Sequence, residues 1–220
     1  MINTNNYRNI FRGCKRMFRG AGQRKVISAI GLATFTIIAL ASASLIIFAA
    51  NRSSVKHQVR QLLRARECQG CNLSGANLSE VFLEGVNLEK ANLKNANLWS
   101  AHLVNANLKQ ANLAGVYLIS SNLAGANLEA TNLENAWLED AALGGGKLKN
   151  ANLKGAFMKG IFLVNADLEG ANLEGANLWM ANLEGANLQG ANLRNALLLD
   201  TNLAGANLKG AVMPDGTKNQ

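Results

Sequence analysis

Cys68-Gln69-Gly70-Cys71 and two histidines, His57 and His102, are the side chains with the most chemistry to offer. A C-x-x-C pair can ligate zinc or cycle between dithiol and disulfide. A structural zinc site takes four ligands, and beyond this pair the sequence holds one more cysteine, Cys14, and those two histidines. Three cysteines are also too few for a disulfide scaffold, so the plain reading is that Cys71 fills a small inward slot. Ser120 and Ser121 have no histidine nearby in sequence, and His102 stands alone on its face. Gly144-Gly145-Gly146 could cradle a phosphate only ahead of a helix N-terminus, which the sequence does not indicate there. A gap at Gly146 between Ala126 and Ala166, with a local bend, is expected instead. No nucleophile–base pair or His/carboxylate cluster emerges, so neither an enzyme, a metal nor a cofactor is expected.

The elements that would position these residues separate by charge. Of the 22 Lys/Arg, twelve lie in residues 1–66, which hold no Asp or Glu; residues 67–220 carry ten against fourteen acidic residues, a net of −4. The basic residues flank residues 26–50, 25 consecutive positions without a charge. As a helix this run would be about 37 Å long, enough to span a bilayer core. It predicts one transmembrane helix, contacting membrane lipid, after a basic tail over 1–25. Ala41-Ser42-Ala43 resembles a cleavage site, but the run is longer than a signal-peptide core. Seven basic residues precede the span and five follow it, which places the remainder outside the cytoplasm, in periplasm or thylakoid lumen. That compartment would permit a Cys68–Cys71 disulfide.

Residues 51–70 form a basic segment whose Val55, Val59, Leu62 and Leu63 fall on one face of a short amphipathic helix. The stripe could lie on the membrane surface. The preferred reading is a cap over the open end of the domain that follows.

From Cys71 the chain falls into fives up to residue 215, 29 repeats without an insertion. The central residue is Leu in 27 of them, the residue two before it Ala in 20, the residue between them Asn in 18, and the fifth Gly in 13. A period of five is neither helical nor a plain strand. A short strand followed by a turn satisfies it: Ala and Leu point inward together, Asn points outward, and the fifth residue turns a corner. Four sides then close a coil of 20 residues, giving an all-β solenoid of about seven coils. The columns Glu89, Lys109, Glu129, Lys149, Glu169, Gln189, Lys209 and Glu134, Lys154, Glu174, Arg194 support that spacing, because charges alternate in sign at intervals of 20. Met213-Pro214-Asp215-Gly216 offers no capping helix, so Pro214 is expected to blunt the far edge ahead of a tail over 216–220.

The repeat resembles the pentapeptide-repeat family, whose consensus is A-(N/D)-L-x-x. The opening Leu62-Leu63 followed by Cys68-Gln69-Gly70-Cys71-Asn72-Leu73 is similar to the start of cyanobacterial members, membrane-anchored ones among them. The resemblance implies a right-handed quadrilateral β-helix over residues 71–215. It also raises a second role, since some members mimic B-DNA and bind type II topoisomerases. A strongly acidic surface is needed for that, and a net of −4 with alternating signs does not provide one, so no nucleic-acid-related partner is expected.

With 20 residues per coil, outward positions sort onto four sides. The side of Leu78 and Leu98 collects Trp99, Tyr117, Ile119, Trp137, Phe157, Trp179, Leu197 and Leu199, including every tryptophan in the chain. The next side carries Phe82, Val104, Phe162 and Val164, with Met180 at the corner between them. Tyr117, Trp137 and Phe157 occupy one slot in successive coils and should stack. An aromatic strip on one side of a rod marks a contact surface, for a second copy or another protein. The sequence therefore predicts a structural or interaction module held at a membrane.

Overall fold

A computed structural model describes residues 54–220; the expected transmembrane segment, 26–50, and the basic tail lie outside them. No helix among the described residues is long and apolar enough to cross a membrane.

Residues 54–65 form helix α1. Its stripe divides unevenly: Leu62 is fully buried, Val55 and Val59 pack partly against the core, and Leu63 is 51% exposed. Leu63 is thus a correction to the expected stripe, because Leu62, with Val55 and Val59, faces the core and Leu63 turns toward the open side. The Arg66 amide donates to the Leu62 carbonyl at 2.9 Å, and Arg66 itself has φ 54°, the left-handed turn that ends a helix.

Beyond α1 the chain winds as a β-helix. Residues 20 apart are bridged in parallel from Glu67↔Asn87 through Asn192↔Val212. The pairing occurs as isolated bridges rather than extended strands, because only the residue before each Leu lies flat against its neighbours before the chain turns. Within a bridge the Leu amide donates to the next coil, as Leu73 to the Asn92 carbonyl at 2.7 Å, and the Asn amide donates backward, as Asn92 to the Cys71 carbonyl at 2.8 Å. The corner closes with a bond such as the Ala76 amide to the Leu73 carbonyl, 3.0 Å. Its third residue has positive φ at each corner from Gly75 to Gly210, the signature of a type II turn. Glycine at the fifth position meets that requirement at no steric cost; Asn, Asp and Ser tolerate it.

The core is two columns per side, Leu against Ala. The inward Leu residues from Leu73 to Leu193 are buried, as are Met158 and Ile161. Ser121 and Thr131 enter Ala slots with their hydroxyls donating to the Leu118 and Leu128 carbonyls. The ladder passes through Gly146 without interruption: its amide reaches the Leu143 carbonyl at 2.9 Å and its carbonyl accepts from Asp167 at 2.9 Å. A Cβ built at Gly146 would meet the Leu143 oxygen at 2.9 Å and the Leu148 side chain at 3.3 Å.

The outward Asn residues do two jobs that their count alone did not reveal. Their side-chain oxygens accept from the amide two residues on, as Asn92 from Lys94 at 3.2 Å, which steadies the turn. Their amide groups reach the Asn one coil earlier, as Asn152 to Asn132 at 3.0 Å, forming a ladder along the rod. The alternating charges pair in one direction: Lys109 with Glu129 at 2.9 Å, Lys149 with Glu169 at 2.9 Å, and Lys154 with Glu174 at 3.1 Å. The hydrogen bond from Lys149 to Glu169, with the attraction between their charges, raises the lysine above its usual range.

Both ends depart from the expected boundaries. The coil starts one repeat early, with Glu67 in an Asn slot and Cys68 buried in a Leu slot. Cys68 and Cys71 are joined by a disulfide. At the far end the tail covers the last edge on one side. Val212 pairs antiparallel with Lys218, and the Asn219 amide donates to the Ala211 carbonyl at 2.8 Å. The Pro214 carbonyl accepts from the Asn195 amide at 2.9 Å, and the returning chain covers the edge at Val212.

The turn that brings the tail back carries a pH dependence. The Asp215 carboxylate accepts from the Thr217 hydroxyl at 2.7 Å and the Thr217 amide at 2.9 Å, which holds its pKa below the ordinary value. A depressed folded pKa means the stabilisation is present above the unfolded pKa and is lost as pH falls through the folded one. In an acid titration followed by NMR, the Thr217 and Asn219 amide signals should move to coil positions below the usual aspartate range. Asp215→Asn should remove that transition. A midpoint at the ordinary aspartate value would contradict the assignment.

Candidate interaction surface

The Leu78 side gathers the outward apolar residues into a strip. Trp99, Tyr117, Leu197 and Leu199 are 46%, 44%, 48% and 58% exposed, and Trp137 and Phe157 are 36% and 38%. Ile119 and Trp179 are half-buried. Tyr117 stacks on Trp137 with centroids 5.9 Å apart, and Trp137 on Phe157 at 4.4 Å.

Those three rings stand where the neighbouring Leu73 side has asparagine throughout, from Asn72 to Asn192. The Asn backbone bridges and the aromatic ones are alike: Asn112↔Asn132 and Tyr117↔Trp137 are both parallel. The backbone therefore accepts asparagine in this slot, and the Leu78 side gives up the amide ladder over three successive coils where the Leu73 side keeps it.

The second outward column of this side, Trp99, Ile119, Glu139, Lys159, Trp179 and Leu199, contains contacts not expected from sequence. The Lys159 ammonium lies 4.3 Å over the Trp179 ring, and the Trp179 indole N–H donates to Asp200 at 3.3 Å. Glu139, on the other side of Lys159, leaves its Oε2 buried without a hydrogen-bond partner among the described residues. The Lys159–Trp179 pair also lies at the interval of 20, but it joins a cation to a ring and so leaves no alternation of sign in the sequence.

The adjoining corner also corrects the isolation of His102. Its ring stacks on Phe82 at 4.4 Å with planes 17° apart. Phe82 and His102 line an open cleft together with Trp99, Glu80 and Ser100, about 360 Å³ in volume. Phe162 and Met180, 53% and 55% exposed, extend the apolar surface around the same corner farther along. No group of three or more His, Cys, Asp or Glu residues able to hold a metal ion occurs among the described residues.

A parallel β-helix with a five-residue side, an Ala/Leu core and an Asn ladder defines a repeat protein whose usable chemistry lies on its outer faces. The sequence profile "Pentapeptide repeats" matches residues 71–110, 101–140, 111–150, 147–178 and 181–213, so the chain belongs to the pentapeptide-repeat family. Among solved structures it is similar to HetL, a pentapeptide-repeat protein involved in heterocyst differentiation regulation from the cyanobacterium Nostoc sp. strain PCC 7120. Identity is 34% over 70% of this chain and 78% of that one, with a TM-score of 0.37. It is similar also to Rfr23, a pentapeptide-repeat protein from the cyanobacterium Cyanothece 51142, at 30% identity over 72% of this chain and 98% of that one, with a TM-score of 0.33. No curated protein matches the chain.

Proposed function

We propose that this protein is a non-catalytic scaffold, anchored in a membrane by residues 26–50, that presents the Leu78 side of its β-helix for protein–protein contact. The observation that carries the reading is the replacement of three consecutive Asn rungs by Tyr117, Trp137 and Phe157 on one side, beside a side that keeps all of its asparagines. Stacked rings can hold coils in register, but asparagine already does so next door. Exposed aromatics contiguous along one face are instead the composition of a contact surface.

Trp137→Ser with Phe157→Ser tests it. Both side chains point outward, so circular dichroism should be unchanged. Self-association of the full chain in detergent, or co-purification of its partner from the native membrane, should fall by about ten-fold or more, as expected for removal of aromatic anchors. Unchanged association by both measures would leave the strip purely structural.

The anchor rests on the uncharged run between Lys25 and Arg52. The full-length protein should remain in the membrane fraction after a carbonate wash. Its release, or a mature N-terminus near residue 44 or 51, would show that the segment is removed. The basic residues on either side favour a rod outside the cytoplasm, and the Cys68–Cys71 disulfide supports an oxidising compartment.

A further inference from the structure

The cleft at Trp99 can be compared with a second place on the same side of the same rod. Trp179 and Trp99 occupy the same outward column, 80 positions or four coils apart. At Trp179 the residue one coil earlier is Lys159, whose ammonium lies 4.3 Å over the indole, and Asp200 takes the indole N–H at 3.3 Å. Lys159 has a carboxylate, Glu139, as its other neighbour in the column, yet it makes no ion pair with it and stays on the ring. The chain thus shows what an indole in this column receives.

At Trp99 the residue one coil earlier is Ser79, which cannot reach the ring with a charge. The indole is 46% exposed. Glu80, beside Ser79 at the corner, is exposed and has no ion pair among the described residues. The stacked Phe82 and His102 rings line the same cleft, with Phe82 62% exposed. Aromatic walls and one free carboxylate therefore converge on a single open cleft.

We propose that this cleft receives the guanidinium group of an arginine on a partner polypeptide. Guanidinium is flat, weakly hydrated and permanently charged. It can lie against Trp99 and Phe82 while its N–H groups face the Glu80 carboxylate, which an ammonium, compact and strongly hydrated, does less well. This deepens the reading of the neighbouring strip as a contact surface by assigning the chemistry of one anchoring residue on the partner.

The test uses the full chain in neutral detergent with Trp137→Phe and Trp179→Phe, which leaves Trp99 as the sole fluorophore of its kind. Acetyl-arginine amide is titrated against acetyl-citrulline amide, the same shape without the charge. Arginine amide should change Trp99 fluorescence saturably, and citrulline amide about ten-fold more weakly, the loss of one charge-assisted contact. Glu80→Gln should weaken arginine amide by a similar factor. Ser79→Lys should abolish its binding by supplying a cation from within, as Lys159 does for Trp179. Because these substitutions are all on outward side chains, an unchanged circular dichroism spectrum verifies folding. Absence of a saturable change, or equal responses to the two amides, or indifference to Glu80→Gln, would each overturn the proposal. These readouts are separate from partner capture by Trp137 and Phe157, so either reading can fail while the other stands.

Discussion

Leu128→Ala should lower the stability of the β-helix by about 3 to 4 kcal/mol, whereas Leu203→Ala should cost about 1 to 2 kcal/mol. The two residues have the same place in the repeat, on different sides of the coil, and differ in their burial and in what lies beyond them. Leu128 is fully buried, stacked between Leu108 and Leu148, and truncation leaves a cavity on a ladder bonded on both sides. Such a cavity costs the lost burial plus the contacts of its lining, because neighbouring coils are fixed by their bridges and cannot collapse into it. Leu203 belongs to the last coil and is only partly buried. Its side lies away from the returning tail, which pairs at Val212. Stability in such an array is close to a sum over coils and their interfaces, so an end position has one interface to lose and a central one has two. Denaturant unfolding of the two variants measures the difference. Equal losses would mean that something among the remaining residues covers the far end.

The frame of five and the 20-residue coil were legible because each leaves a periodic mark in the side chains. Leu and Ala recur at inward slots, and Lys109 and Lys149 alternate with Glu89, Glu129 and Glu169 along one column. The direction of pairing was not legible. Lys109 has a glutamate one coil away on either side and pairs with Glu129, while Glu89 turns to Lys90 at 3.4 Å. The early start at Glu67 was hidden because Glu and Cys stand in for Asn and Leu, with Gly70 alone keeping the pattern. The tail's return was hidden because an antiparallel turn at Asp215–Thr217 depends on local hydrogen bonds rather than on a repeat. On the candidate surface, the rings at 117, 137 and 157 could be placed from spacing alone. Phe82 and His102 are separated by the same 20 positions, but the flat face of a histidine leaves no mark in a pattern of charge or hydrophobicity, so their stacking stayed hidden.

Leu62→Asp should detach α1 and fray the first coil without unfolding the rest, whereas Leu63→Asp should change stability by no more than about 0.5 kcal/mol. A helix of twelve residues is marginal in water by itself, so α1 owes its order to docking. Leu62 is the fully buried residue of that contact, with Val55 and Val59 beside it, and Leu63 faces out at 51% exposure. An aspartate in the Leu62 slot loses about 2 kcal/mol of apolar burial and adds the penalty of a carboxylate facing a Leu/Ala core. Nothing else among the described residues covers that end, so the loss falls on the groups immediately beneath α1. The Arg66 carbonyl accepts from the Asn87 amide at 3.1 Å, and the Cys68 and Gly70 amides donate to the Asn87 and Glu89 carbonyls at 2.8 Å. Hydrogen exchange should therefore accelerate at the Cys68, Gly70 and Asn87 amides in Leu62→Asp, and remain slow at Leu128 and Leu148 in the middle of the rod, because solenoid coils open from a weakened end. If exchange rises equally along the whole β-helix, the domain unfolds as one unit and α1 is part of its nucleus. If Leu62→Asp leaves exchange at Cys68 and Gly70 unaltered, α1 is not the cap that protects the first coil.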